Sequence, residues 1–303
     1  MTVLGAAAAL LLLATACGGR PGPAAGTTPP PPTAAASGTP PRTEKARAGF
    51  VVIGDFGTGG AAQRAVARAM RTWERSGHRV DALVTTGDNV YPDGSPRLFA
   101  SRLDEPYRPL RRPTWITLGN HDVQNGHGQA ELRHLGLPDL PYAKQLPGAQ
   151  ILFLDADHVD AAQTRWLERR LSAAGPPVRV VVFHQPAWSC SRHGSTPAVD
   201  ARWVPVLERH RVTLVLNGHD HNYQRFTSAH GVTYIVTGGG GASLYPVASG
   251  CRTPPRAAAA SHHHFTAVEV TAAHVTVTAV RDDGAVLDRV VLPVPRPSGL
   301  PPQ

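Results

Sequence analysis

Runs of hydrophobic residues alternate with helical spacing of apolar positions through the first two thirds of the chain. Four- to six-residue apolar runs that end at glycine or polar residues are typical of buried strands. The predicted strands of this part cover residues 50–53, 82–86, 114–118, 151–154, 178–183 and 212–216. Apolar residues at helical spacing predict helices over 61–74 and 161–174.

The pattern changes after Tyr223, where strands follow one another without helices between them. These later strands are predicted over 233–236, 265–270, 275–280 and 286–292. Alternating strands and helices followed by strands alone predict one α/β domain, with two packed sheets and helices on the outside.

The chain begins with an apolar stretch, residues 4–16, that ends in Ala-Thr-Ala before Cys17. It is too short to span a bilayer, and its small terminal residues suit cleavage by a signal peptidase. The cysteine at this point resembles the lipobox of bacterial lipoproteins, although residues 1–3 lack a basic residue and Ala14 replaces the usual leucine. We expect residues 1–17 to form a signal peptide ending at a lipidated Cys17, with ordinary cleavage as the alternative.

Residues 18–48 are rich in Pro, Ala, Thr and Gly and contain four consecutive prolines at 29–32. Such a composition cannot bury a core, so a disordered linker is predicted between the anchor and a folded domain over 49–295. Residues 296–303 are expected to be a disordered tail. The predicted location is extracytoplasmic: a membrane-anchored lipoprotein whose only membrane contact is the lipid at Cys17, or otherwise a secreted protein.

The chain has 303 residues, a formal net charge of +8 and a pI of about 10.0. The positive charge comes almost wholly from arginine, because lysine occurs only at Lys45 and Lys144. No dense basic run with interleaved aromatic residues and no zinc-finger, RNP or helix-turn-helix signature is present, so nucleic-acid binding is not expected. The positive field would attract phosphorylated substrates.

Polar residues of ligand type follow five of the predicted strands. They are Asp55, Asp88, Tyr91, Asn120, His121, His184, His219 and His221. A single such motif could be a plain turn with a surface tyrosine, but the carboxyl ends of parallel strands meet at one edge of a sheet, which would bring all of them together. The phenol of Tyr91 would bind only a strongly acidic, trivalent ion such as Fe(III). Two metal ions in such a cluster suit in-line displacement at phosphorus.

Five short motifs in order resemble those of the purple acid phosphatases, within the calcineurin-like metallophosphoesterases. They are Gly54–Gly57, Gly87–Tyr91, Gly119–Asp122, Val181–His184 and Gly218–His221. Tyr91 makes the chain similar to the purple branch, in its small form without an additional N-terminal β domain. The resemblance implies a four-layer αββα sandwich: two packed mixed sheets flanked by helices.

The same resemblance implies the roles of the site residues. Fe(III) would be held by Asp55, Asp88, Tyr91 and His221. A divalent ion (Fe, Zn or Mn) would be held by Asp88, Asn120, His184 and His219. The implied activity is that of an acid phosphatase, which hydrolyses small phosphate monoesters by attack of a metal-bound hydroxide. His121 would lie at the substrate and His193 would donate a proton, the alternative being that both are solvated loop histidines.

Other functions remain open at the level of sequence. A phosphodiesterase or a nucleotide-hydrolysing enzyme could use the same metal centre and would differ in the loops over 125–142 and 189–197. A surface binding protein without turnover could keep the fold, but it would be expected to lose at least one of the ligand residues.

Two further features have a structural interpretation. Cys190 and Cys251 are an even pair in an exported protein, which predicts a disulfide, with two free thiols as the alternative. Histidines 262–264 are interpreted as a loop before a strand and not as a third metal site, and glycines 238–241 as a place where backbone approaches the site closely. The histidines outside the motifs are interpreted as structural or surface residues: His78, His134, His158, His210, His230 and His274.

Overall fold

The computed structural model of the chain describes residues 45–250 and 254–295. The predicted signal peptide, nearly all of the predicted linker, Cys251 and the predicted C-terminal tail lie outside these residues. The described residues belong to one compact unit.

The strands and helices of this unit follow the predicted order. The strands are β1 (Ala48–Ile53), β2 (Ala82–Thr85), β3 (Thr114–Ile116), β4 (Tyr142–Leu146), β5 (Ala149–Phe153), β6 (Val178–Val182), β7 (Leu214–Asn217), β8 (Tyr223–Thr227), β9 (Thr233–Thr237), β10 (Arg256–Ala260), β11 (His264–Val270), β12 (His274–Arg281) and β13 (Val286–Pro293). The helices are α1 (Ala61–Arg75), α2 (Gly128–His134), α3 (Ala161–Ser172), α4 (Pro197–Arg202) and α5 (Val204–Arg209).

The described strands form two mixed sheets. The first has six strands in the order β13-β12-β11-β1-β2-β3, with β1, β2 and β3 parallel. The second has seven strands in the order β10-β8-β9-β7-β6-β5-β4, with β5, β6, β7 and β9 parallel. Each sheet thus has a parallel part, whose strand ends carry the candidate ligands, and antiparallel strands beside it.

The core lies between the sheets, where buried side chains from both meet, such as Val52 and Val84 with Val180 and Leu214. Successive side chains of a strand point to opposite faces, so the neighbours of these residues pack outward against helices. Val51 of β1 packs in a cluster with Val66 and Met70 of α1 on one side. On the other side, Val181 of β6 packs with Leu167 and Leu171 of α3, and with α5. The four-layer sandwich implied by the motifs is therefore confirmed.

Several elements were not predicted. α4 and α5 have six residues each, too short for a helical period to show, and β10 is largely alanine, a residue with low strand propensity. The loop predicted over 262–264 ends one residue early, because His264 is the buried first residue of β11. In the part of the chain that the structure describes, no helix has the length and apolarity needed to cross a bilayer.

Candidate metal centre

The predicted site residues come together, but at a different place from the single sheet edge expected. Asp55, Asp88 and Asn120 follow β1, β2 and β3 of the first sheet, whereas His184 and His219 follow β6 and β7 of the second. The site therefore lies where the ends of two stacked sheets meet. The sequence could not show this, because the order of the strands along the chain does not determine the sheet to which each strand belongs.

The centre of the cluster is formed by two carboxylates and an imidazole. Ligand atoms of Asp55, Asp88 and His184 all lie within 4.8 Å of one another, and all three residues are buried. The Nε2 atom of His184 is 3.4 Å from Oδ1 of Asp88 and 3.9 Å from Oδ1 of Asp55. These three residues, one from each of three strand ends, suit a metal ion by donor type and separation.

The backbone is strained at three of the candidate ligands. Asp55, Asp88 and His219 have φ angles of 56°, 52° and 69°, in the left-handed region that residues other than glycine seldom adopt. Such strain occurs mainly at functional sites, where the surrounding structure enforces it. The three strained residues lie two or three positions beyond the ends of β1, β2 and β7.

Backbone carbonyls fix the orientation of two imidazoles. Nδ1 of His184 lies 2.7 Å from the carbonyl oxygen of Thr86, and Nδ1 of His221 lies 2.7 Å from that of Ser243. A carbonyl only accepts, so each Nδ1 must carry the proton. In the neutral rings Nε2 is then left with a free lone pair that points into the cluster, the arrangement that metal-binding histidines adopt.

The phenol of Tyr91 also reaches the cluster. Its hydroxyl donates to Oδ2 of Asp88 at 2.9 Å and lies 3.2 Å from Nε2 of His221. Burial, together with Asp55 and Asp88, raises the pKa of this phenol far above its usual value, so the hydroxyl keeps its proton in the metal-free protein. Only a strongly acidic cation would displace that proton.

Two further observations test whether the donor set fits metal ions. The side-chain oxygen of Asn120 is buried without a hydrogen-bond partner among the described residues. Nδ1 of His219 and Nε2 of His184 face each other at 3.2 Å. A buried amide oxygen without a donor is costly, and a cation bound there would satisfy it together with both imidazoles. The residues therefore fit a metal centre.

The charges in the cluster are strongly coupled. Burial opposes the charged form of His184, yet Asp88 and Asp55 outweigh burial and raise its pKa to about 10. Burial is also the largest single influence on Asp88 and acts to raise its pKa. The charge and hydrogen bond of His184 nevertheless hold the pKa of Asp88 below its usual range. Burial, with His184 and His193, lowers the pKa of His219 to about 3. In the metal-free site the protonated imidazole of His184 lies beside Asp88 and Asp55, and a metal ion would replace its proton.

Two more histidines lie beside the cluster. The backbone N–H of His121 donates to Oδ1 of Asp88 at 3.0 Å, and its Nδ1 lies 2.6 Å from the carbonyl oxygen of Pro92. The ring of His193 is 4.1 Å from that of His219, and burial lowers the pKa of His193. Both side chains reach the edge of the site without being among its inner donors.

Two buried aspartates support the site without facing it, and sequence reasoning gave them no role. Asp122 accepts N–H groups from Asn89, Val90 and Gly119 at 2.8 to 3.0 Å. Asp220 accepts the backbone N–H of His193 at 2.9 Å. Their position in the sequence could have indicated this role, because each aspartate lies within one of the five motifs, at 119–122 and 218–221. They fix the loops on which the candidate ligands lie.

Close backbone packing explains several glycines of the site. A Cβ at Gly119 would lie 2.2 Å from Oδ1 of Asp88, and one at Gly238 would lie 2.6 Å from Oδ2 of Asp55. The close approach expected of the glycines at 238–241 is therefore observed.

The remaining histidines and Cys190 are not among the residues of this cluster. In the described ranges, Asp55, Asp88 and His184 are the only group of three His, Cys, Asp or Glu residues whose ligand atoms lie this close together, and the histidine tract 262–264 contributes no member to it. His78 pairs with Glu269 and His210 with Glu168, as expected of structural histidines. Cys190 is buried, but its predicted partner Cys251 lies outside the described residues, and the disulfide stays a prediction.

Comparison with curated proteins supports the resemblance drawn from the motifs. Human tartrate-resistant acid phosphatase type 5 is 26% identical over 294 residues, which cover 80% of this chain and 90% of that protein. Purple acid phosphatase 4 of Arabidopsis thaliana is 27% identical over 272 residues, with 75% of this chain and 78% of that protein covered. The resemblance to purple acid phosphatases is confirmed by these relatives.

Solved structures share the fold. GAP50, the anchor in the inner membrane complex of Plasmodium, superposes with a TM-score of 0.74 at 19% identity over 84% of this chain and 91% of that chain. Purple acid phosphatase PPD1 of yellow lupin has a TM-score of 0.72 at 15% identity, over 80% of this chain and 53% of that chain. The model of the calcineurin-like phosphoesterase family matches residues 49–223. The chain therefore belongs to the calcineurin-like phosphoesterase family.

Proposed function

We propose that this protein is a metal-dependent phosphatase of the acid phosphatase type, which hydrolyses phosphate monoesters. The observation that carries the proposal is the position of Tyr91, whose hydroxyl contacts both Asp88 and His221 inside a cluster of metal-ligand type. Curated relatives that match most of the chain are named tartrate-resistant and purple acid phosphatases, which supports the same activity.

The proposed ligand sets follow the two sides of the cluster. Fe(III) would be held by Asp55, Asp88, Tyr91 and His221. A divalent ion (Fe, Zn or Mn) would be held by Asp88, Asn120, His184 and His219. When bound, such a pair of ions acidifies water and neutralises charge on phosphate oxygens.

His121 binds the phosphate of the substrate, and His193 donates a proton to the leaving group. With Nδ1 of His121 directed at Pro92, its Nε2 is the atom available to the substrate, and in the protonated ring it donates to a phosphate oxygen. His193 stands beside His219 on a loop held by Asp220, within reach of the leaving group. The lowered pKa of His193 makes its protonated ring a stronger acid than an ordinary imidazolium. This suits transfer of a proton to the departing oxygen.

The test combines metal analysis with a substrate panel. Full-length protein purified after growth with iron, zinc or manganese is expected to contain about two metal ions per chain. It should hydrolyse the monoester p-nitrophenyl phosphate faster than the matched diester bis(p-nitrophenyl) phosphate, and it should also hydrolyse alkyl monoesters such as glycerol 3-phosphate. Faster hydrolysis of the diester would replace the proposal by a phosphodiesterase, and hydrolysis of nucleoside triphosphates without hydrolysis of any monoester would indicate a nucleotide-hydrolysing enzyme.

A binding protein without turnover is the second candidate, because a solved structure with this fold is described as an anchor. The retained donor set argues against it here, since the buried Asn120 oxygen and the strained Asp55 and Asp88 serve no purpose in a protein without metal. A sample with full metal content that is inert on every phosphoester would favour binding over catalysis.

For its location we propose an extracytoplasmic protein, anchored to a membrane by a lipid on Cys17 and otherwise secreted. The proposal rests on the sequence before residue 18 and on the proline-rich stretch that follows it.

A further inference from the structure

A cavity of about 590 Å³ lies against the candidate metal centre, and none of the expected ligand or acid–base residues lines it. Its walls come from two loops and include Arg192, Ser243, Tyr245, Pro246 and Val247. Among the residues that the structure describes, its lining contains no Asp or Glu. Of the described residues that line the cavity, Arg192 is the one with a charged side chain.

Tyr245 forms the wall between the cavity and the centre. Its ring stacks on His221, with centroids 4.1 Å apart and planes inclined by 14°, and lies 5.5 Å from the ring of His193. His221 is a proposed iron ligand and His193 the proposed proton donor. A substrate whose phosphate is bound at the centre would thus extend its leaving group past His193 toward this cavity.

Arg192 is placed to receive a negative charge there. Its guanidinium lies 4.9 Å from the centroid of the Tyr245 ring, which holds it by a cation–π contact. Within the described residues it has no carboxylate partner and no hydrogen-bond acceptor, in contrast to Arg225, which pairs with Asp288 at 2.6 Å. Its N–H donors are consequently free to form a bidentate contact with an oxyanion.

We propose that Arg192 binds an oxyanion on the leaving group, and that the enzyme therefore prefers phosphate esters and anhydrides whose leaving group carries a carboxylate or a second phosphate. The inference rests on the proposed phosphatase activity and names the substrate class of that same site. Arg192 is a specificity-determining residue in this scheme: its guanidinium and the ring of His193 both lie against Tyr245, so the charge that Arg192 binds would lie near the oxygen that leaves.

The first experiment compares matched substrates on the full-length, metal-loaded protein. 3-Phosphoglycerate has a carboxylate where glycerol 3-phosphate has a neutral hydroxymethyl group. Inorganic pyrophosphate has a second phosphate as its leaving group. Arg192→Ala is expected to lower kcat/KM for the two charged substrates by about ten- to a hundredfold, the usual range for a hydrogen bond to a charged group. For glycerol 3-phosphate the change should stay within about twofold.

Controls separate a bidentate contact from a general effect of charge. Arg192→Lys keeps the charge but loses the planar fork, so it should restore part of the preference. Arg71→Ala removes an exposed arginine of α1 and should leave the ratio of charged to neutral substrate unchanged. An equal effect of Arg71→Ala would overturn the proposal in favour of long-range attraction by the net positive charge.

Equilibrium binding gives a second measurement that does not depend on turnover. 3-Phosphonopropionate should bind the wild type more tightly than propylphosphonate, and Arg192→Ala should remove the difference in Kd while metal content stays the same. A loss confined to pyrophosphate would assign the site to a second phosphate, and a loss confined to the carboxylates would assign it to those.

The substrate preference and the phosphatase activity can be tested separately. If glycerol 3-phosphate is hydrolysed and Arg192→Ala changes charged and neutral substrates alike, the specificity proposal is wrong and the phosphatase activity stands. If the metal-loaded protein hydrolyses no monoester, the proposed function itself is wrong.

Discussion

At the scale of single residues, Tyr91 distinguishes an iron centre from one built for divalent ions alone. Its phenol is held neutral by burial and by the carboxylates beside it, so a divalent ion would leave it protonated. We expect the iron-loaded protein to be violet to pink through phenolate-to-Fe(III) charge transfer. Tyr91→Phe should lose the visible absorption band and keep most of the activity, because six of the seven proposed ligands remain.

The measurement is the visible spectrum together with iron content and turnover. Asp88→Asn is the matched control, because the proposed bridging carboxylate serves both ions and its loss should remove metal and activity together. An unchanged spectrum in Tyr91→Phe would show that the phenol is not a ligand.

Asp122 illustrates a residue that acts on the site through others. It receives three backbone N–H groups and the side-chain amide of Asn89, and is fully buried. Asp122→Asn keeps the shape but brings an NH₂ group against those donors, so at least one hydrogen bond is lost and a donor is left unsatisfied. We expect the free energy of unfolding of the metal-free protein to fall by about 2 to 4 kcal/mol, measured in urea.

Asp283→Asn is the control for that experiment. Asp283 pairs with Arg281 at the surface, where such pairs contribute at most about 1 kcal/mol. A similar loss of stability in both variants would contradict a special role for Asp122.

At the scale of elements, the turn after β3 must pass directly beneath Asp88. A Cβ on residue 119 would lie 2.2 Å from Oδ1 and 2.4 Å from the backbone nitrogen of Asp88, which is closer than atoms can approach. Gly119→Ala is therefore expected to displace Asp88 and weaken metal binding by more than about tenfold, measured by titration of the metal-free protein.

Gly250→Ala provides the comparison, since a Cβ there meets no described atom within 4 Å. It should bind metal as the wild type does. If Gly119→Ala also binds metal normally, then the turn can move without cost and the tight packing seen here is not what positions Asp88.

A buried polar contact joins β9 of one sheet to β11 of the other and makes stability depend on pH. Nε2 of His264 lies 3.0 Å from the hydroxyl of Thr237, and Nδ1 donates to the carbonyl of His262. Burial lowers the pKa of His264 to about 4, against 6.5 in the unfolded chain. The unfolded state therefore binds more protons between these two values, and stability falls as pH drops from about 6.5 to 4.

The expected contribution is of the order of 3 kcal/mol over that pH window. His264→Gln keeps polar atoms for Thr237 but does not titrate. Urea unfolding at several pH values should show a lower stability for the variant at pH 7 and a weaker decline toward pH 4. Parallel curves for the two proteins would mean that His264 is not the group responsible.

The strands also show which features of the fold and site could be predicted from the sequence. The apolar runs that become β1, β2, β6 and β7 end directly before polar residues, so both the strands and the candidate ligands could be predicted from them. The sheet to which each strand belongs could not, because apolar runs look alike in either sheet. Tyr245 and Arg192 were missed for a related reason: the cavity they share forms only when two distant loops meet.

At the scale of the whole molecule, the predicted anchor and the catalytic domain should act independently. Residues 18–48 have the composition of an extended tether, so the lipid at Cys17 would hold the domain near a membrane without touching the site. Cys17→Ser is expected to release the protein into the medium with unchanged specific activity, measured in fractionated cells. Membrane association that persists in the variant would contradict a lipid anchor.

The position of the centre between two sheets has a consequence for the protein as a whole. The proposed ligands extend from Asp55, which follows β1 of the first sheet, to His221, which follows β7 of the second. Bound metal would therefore crosslink parts of the chain that are far apart in sequence. Crosslinks of that span restrict the unfolded chain, and a ligand that binds only the folded state adds its binding free energy to folding. Metal supply would then control both how fast this protein reacts and how long it stays folded.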